Sequence, residues 1–147
     1  MKKKFMTVII ANAICIGLFA QEREAKSITP PGNVKAAFEK TFTGTSKVKW
    51  EKEGNDYEVN FMQQKKEMSA VFDSKGEWKE TEEEIAVASL PAAAAAYVKS
   101  HYNSAKIKEA AKITKAGGVV NYEAEVNKMD VVFDGQGNFI KEEKDND

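Results

Sequence analysis

The sequence predicts an α+β fold of two tandem repeats, each a helix followed by a four-stranded antiparallel sheet, with the helices packed on one sheet face. Three observations carry that expectation. The phrases "VFDSKGEW" (71–78) and "VFDGQGNF" (132–139) are one strand-turn-strand pattern written twice, 61 residues apart. A helical apolar period precedes each phrase, and between helix and phrase the period switches to two. Beyond an N-terminal export signal about 127 residues remain, a normal size for one domain, whereas half of that is marginal alone.

The chain opens with MKKKFMTVIIANAICIGLFAQE: three lysines, an apolar run from Phe5 to Ala20, and a polar change at Gln21. This is the layout of a secretory signal, and the run is short for a membrane span. Residues 1–20 are therefore expected to be removed after Ala20, although Leu18 fits the small-residue preference less well. Cys15, the only cysteine, reads as part of the apolar run: Ile14 before it and Ile-Gly-Leu-Phe after it do not suit lipidation. A mature chain so cut has no disulfide and no thiol chemistry. It keeps 19 Lys+Arg against 23 Asp+Glu, a formal charge of −4, which draws neither nucleic acid nor an anionic membrane.

Residues 21–30 read as an extended leader, 31–86 as the first repeat, 87–144 as the second and 145–147 as an acidic tail. In "PPGNVKAAFEKTF", Val34, Ala37, Phe38 and Phe42 form one helical stripe, entered at Pro30-Pro31. In "SLPAAAAAYVKSHY", Ser89 is expected to cap and Pro91 to sit in the first turn. Ala94, Tyr97, Val98 and His101 or Tyr102 line the face, and Ala92 to Ala96 read as plain helix. The first strands follow. "KVKWEKE" sets Val48 and Trp50 against Lys47, Lys49 and Glu51, while "KIKEAAKI" sets Ile107, Ala111 and Ile113 on one side with Glu109 interrupting.

Turns are expected at Gly54-Asn55-Asp56 and at Gly117-Gly118. The second strands align Tyr57, Val59 and Phe61, and Tyr122, Ala124 and Val126. The third align Met68, Ala70 and Phe72, and Met129, Val131 and Phe133; the fourth begin at Trp78 and Phe139. In the repeated phrase Asp73 and Asp134 supply a side-chain acceptor, and Gly76 and Gly137 the positive φ that a tight hairpin needs. The two half-sheets are expected to join, because each alone exposes edges that invite pairing.

The segments "VKAAFEKTF", "VKWEKEGNDYEVNF", "SAVFDSKGEWKETEEEI", "LP", "YEAEV" and "VVFDGQGNF", in that order, resemble the PepSY-like family of beta-lactamase-inhibitor-like exported bacterial proteins. The resemblance runs from about residue 31 to 143 and implies two helix-plus-sheet units side by side. The inhibitors that lend the name grip an enzyme with an open sheet face and adjoining loops. No inhibitory residue carries over to this sequence, so the resemblance speaks to fold.

Catalysis finds no support in the motifs. There is no G-x-S-x-G, no H-E-x-x-H and no phosphate-binding glycine loop, and His101 reads as a half-exposed helix-end residue. Ser69, Ser74 and Ser89 fall on a strand, a turn and a cap, away from any base. "DGQGN" and "EGNDYE" lack calcium-loop spacing and read as hairpin turns, and "KETEEE" (79–84) reads as a solvated acidic run. No cofactor or metal is implied.

The aromatic residues all fall on the helix side. The opposite face is expected to be an uncovered, mixed surface formed by Lys49, Asn60, Met62 and Val71 with Lys108, Glu123, Glu125, Val132 and Ile140. An apolar patch around Met62, Val71, Val132 and Ile140 would suit a docked protein or peptide. The expected function is thus an exported, periplasmic or secreted, non-enzymatic binding module whose partner is a protein or peptide of the cell envelope or beyond. The alternative is a small-ligand or envelope-component binder using the groove between the repeats.

Overall fold

A computed structural model describes residues 27–144 of the chain. The expected signal peptide (1–20) with Cys15, the leader up to residue 26 and the tail 145–147 lie outside the described residues. Helix α1 (Gly32–Thr41) is followed by β1 (Ser46–Glu53), β2 (Asp56–Gln63), β3 (Lys66–Phe72) and β4 (Trp78–Glu84). A 3₁₀ turn (Val87–Ser89) leads to α2 (Ala92–His101), then β5 (Glu109–Lys115), β6 (Val120–Val126), β7 (Met129–Asp134) and β8 (Phe139–Lys144). All eight strands form one antiparallel sheet in sequence order, β4 pairing directly with β5.

Both helices start at proline, which fixes the entering φ where no amide donor is needed. Pro31 and Pro91 hold the cap positions without side-chain caps, and their carbonyls accept from the Lys35 and Ala95 amides. Ser89 does not cap α2: it ends the 3₁₀ turn, two residues before the cap position held by Pro91.

Each helix covers its own half of the sheet. Val34 and Phe38 pack on Trp50, Val59, Phe61, Ala70 and Phe72. Phe38 is the hub, with ring centroids 5.1 Å from Phe61 and 5.5 Å from Trp50, both edge-on. Ala94 and Val98 of α2 pack on Ala110, Ala124, Val126, Val131 and Phe133. The register Phe61–Met68–Glu83–Lys112–Tyr122–Phe133 runs straight across the sheet. Residues paired in register share a face, so both helices lie on the same side.

The hairpin turns explain the repeated phrase. Asp73 Oδ1 accepts from the Lys75 and Glu77 amides at 2.8 and 2.9 Å, and Asp134 Oδ1 from those of Gln136 and Asn138 at 2.9 Å each. Gly76 and Gly137 have φ of 84° and 87°. Each turn also presses on a helix entrance: a Cβ at Gly76 would lie 3.0 Å from the Asn33 carbonyl oxygen, and one at Gly137 2.8 Å from the Ala94 amide nitrogen. Two further turns use no glycine. Gln64-Lys65 and Asn127-Lys128 all have positive φ, the two-residue arrangement that suits the twist of a hairpin.

Two strand assignments differ from the sequence expectation. Val48 is 43% exposed, because Lys47 takes a φ of 54° and the β1–β2 register shifts between Ser46 and Lys49. In β5 it is Ala110 that joins the helix-side core. Ala111 and Ile113 pair with Glu84 and Glu82 and so face the other way. "KIKEAAKI" has apolar residues at both parities, and the pairing with β4 decides between them.

Candidate functional site

The sheet face turned away from the helices is not the solvated surface its alternating pattern suggests. Its residues include Val71, Ala111, Ile113 and Val132, all buried. More unusual is the polar content: Glu58, Glu82, Glu123 and Asp130 are 6%, 4%, 7% and 5% exposed, with Ser69 at 1%. Exposed acidic residues are ordinary, whereas acids buried to this degree are rare unless paired.

The register shows how strands from both halves assemble this cluster. One row runs Asn60–Ser69–Glu82–Ile113–Asn121, the next Glu84–Ala111–Glu123–Val132–Lys141, and Glu58–Val71–Glu80–Lys115 lies on the other side. The face is concave. Lys141 on β8 lowers the pKa of Glu80 on β4, and Glu53 on β1 is raised by that same Glu80. Neither helix covers this face, yet Val71, Ile113 and Val132 on it are buried, as when a large twisted sheet curls inward.

Burial dominates the electrostatics. It pushes the Glu123 carboxyl up to about 8, with Asp130 adding repulsion that Lys141 partly offsets. It also raises Glu82 well above the usual carboxylate range, assisted by Glu123 and Glu58, and raises Glu80 against the pull of Lys115. Glu53 at the rim reaches about 8, through burial first and the neighbouring Glu58 and Glu80 next. Cations stand at the margin: Lys115 Nζ is 3.8 Å from Glu80 Oε2, Lys141 Nζ bonds Glu143 at 2.5 Å, and Lys108 Nζ bonds Glu125 at 2.7 Å. Two buried polar atoms on this face have no hydrogen-bond partner, Ser69 Oγ and Glu123 Oε2.

The candidate residues from the sequence fall into two groups. Asn60, Met62, Val71, Glu123 and Val132 have the parity of the concave face, and Val71, Glu123 and Val132 are buried in it. Lys49 and Lys108 are exposed at its margins, Lys49 bonded to Glu51 at 2.7 Å. Ile140, 48% exposed, is the extra residue where the β7–β8 register shifts. The expected apolar patch does not form, since Val71 on β3 and Val132 on β7 are separated by three strands carrying Glu82 and Glu123. Nor is "KETEEE" a solvated run: Glu80, Glu82 and Glu84 alternate onto the concave face, and Glu82 is buried. The period-two spacing of those acids, repeated in Glu123 and Glu125, was the available signal.

Other features are less built. His101 is exposed and stacks on Tyr97 at 3.9 Å. An open pocket of about 420 Å³ lies beside α2, lined by Val87, Ala95, Val98 and Ile107 among others. On the helix side, the seam between the halves carries Thr81, Glu83, Lys112 and Thr114. Among the described residues no group of three or more His, Cys, Asp or Glu is arranged to hold a metal, and no helix is long and apolar enough to cross a membrane.

Comparison with protein families finds a match to "Putative beta-lactamase-inhibitor-like, PepSY-like" over residues 24–69 and 55–141. Three crystal structures share the fold. A DUF2874 family protein from Bacteroides uniformis has a TM-score of 0.68 at 16% identity, with 80% of this chain and 91% of that one covered. A protein of Bacteroides eggerthii described as "putative periplasmic" has a TM-score of 0.67 at 14% identity, covering 79% and 89%. A BLIP-like protein from Bacteroides fragilis has a TM-score of 0.63 at 22% identity, covering 82% and 89%. Comparison with curated proteins found no match.

Proposed function

The chain belongs to the PepSY-like, beta-lactamase-inhibitor-like family, and from that premise we propose that it is an exported, non-catalytic binding protein that docks a protein or peptide on its concave sheet face. The observation that carries this reading is the face itself. It is built by strands of both halves, lies opposite both helices, and holds buried polar atoms without partners. Buried polar groups that lack a partner cost free energy in the free protein, and a ligand that satisfies them recovers it.

Export is supported by the secretory pattern of residues 1–20 and by the periplasmic description of the Bacteroides eggerthii protein. We read the two helix-plus-four-strand halves as tandem copies, since their turns repeat the same aspartate and glycine bonding. Asn60, Met62, Val71, Glu123 and Val132 line the docking surface, and Lys49, Lys108 and Ile140 form its rim. The groove between the halves is the weaker reading, because the seam on the helix side presents polar residues.

A photo-crosslinking amino acid at position 60 or 62, compared with position 40 on α1, tests the face. Adducts with an envelope protein or peptide are expected from the first two positions. Adducts from position 40 alone would move the site to the helix side.

A further inference from the structure

Two features of the concave face are unexplained by folding: its buried acids and its unpartnered Ser69 Oγ and Glu123 Oε2. Ser69 is the register partner of Asn60 and Glu82, so its hydroxyl shares their face. Glu123 pairs with Ala111 and Val132. Both atoms can accept hydrogen bonds, Glu123 fully so when ionised. Each acid has an aliphatic neighbour in register, Ile113 beside Glu82 and Val132 beside Glu123.

We propose that this face binds the lysine side chains of an extended peptide, each ammonium held by Glu82 with Ser69 or by Glu123, and each methylene stem lying on the neighbouring Ile113 or Val132. The inference rests on the reading that the concave face docks a peptide, and adds what that peptide carries. A lysine matches in both parts. Its ammonium offers three donors and a positive charge to a face whose acids outnumber its bases, and its four-carbon stem is apolar. The ion pairs of Lys115, Lys141 and Lys108 are with Glu80, Glu143 and Glu125, and Lys141 offsets the charge around Glu123 only in part. Burial holds Glu123 and Glu82 towards the protonated form in the free protein, and an arriving ammonium favours their ionisation.

Calorimetric titration of the mature protein with an N-acetylated hexapeptide alternating valine and lysine tests this. Controls are the same peptide with Nε-acetyl-lysine, and free spermidine. The lysine peptide is expected to bind at least tenfold more tightly than the acetyl-lysine peptide and than spermidine. Glu82→Gln with Glu123→Gln should weaken it tenfold or more, Ser69→Ala severalfold, and Glu39→Gln on α1 not at all. Unchanged thermal melting of Ser69→Ala keeps that arm independent of folding. Equal binding of lysine and acetyl-lysine peptides would overturn the cationic assignment while leaving peptide docking intact. Binding of neither peptide, tighter binding of spermidine, or an equal loss with Glu39→Gln would overturn the proposal, and the crosslinking experiment would still report on the face.

Discussion

Replacing Glu123 by glutamine should remove part of a pH dependence that this fold builds into its own stability. Burial lifts the Glu123 carboxyl from 4.5 to about 8. Between those values the folded chain holds a proton that the unfolded chain has released. Stability from this group is therefore complete below pH 4.5 and is lost as pH rises through 8. Each proton so held corresponds to a slope of about 1.4 kcal/mol per pH unit, so Glu123 alone accounts for at most about 3 kcal/mol between pH 5 and 7. That is a large share of the ~5–15 kcal/mol typical of a domain.

Glu53, Glu80 and Glu82 are raised too and act in the same direction. Asp73 and Asp134 are held low by their turn amides, so they act only in more acidic solution. The assay is urea unfolding at pH 5, 6, 7 and 8, followed by the fluorescence of Trp50 and Trp78. The wild type should lose stability steadily across the series. Glu123→Gln should match it near pH 5 and exceed it by up to about 4 kcal/mol at pH 8. A wild type whose stability is flat or rising over this range, or a variant with the same slope, would refute the buried-carboxylate argument.

Truncating Phe72 or Phe133, both fully buried, to alanine should cost about 3–5 kcal/mol in the same denaturation assay. The pair Met62→Ser and Ile140→Ser should cost about 1 kcal/mol or less, since Met62 is half-buried and Ile140 exposed. Valine at Gly76 or Gly137 should each cost about 1–2 kcal/mol from φ alone. The 2.8 Å approach to the Ala94 amide makes Gly137→Val the worse of the two, which paired melting curves would show. Intact-mass measurement on protein from its native cell should find residues 1–20 removed and no lipid on Cys15.

Local chemistry made much of this fold legible. The helical stripe of Val34 and Phe38, the Asp–Gly hairpins and the period-two aromatics each depend on neighbours within a few residues, and each stands where the sequence places it. The parity of Asn60, Val71, Glu123 and Val132 was readable for the same reason. Register in β5 was not: with apolar residues at both parities, only the pairing with β4 turns Ala110 inward and Ala111 outward. Val48 escaped because a single positive φ at Lys47 breaks the alternation. The buried acids are the plainest case. "KETEEE" read alone is a solvated run, since nothing within six residues can desolvate a carboxylate. Eight strands in one curled sheet can, and they bring Lys141 of the last strand within electrostatic reach of Glu80 on the fourth. Sequence settled which side chains share a face along most strands; only the assembled sheet decided that Glu82 and Glu123 on this face are buried.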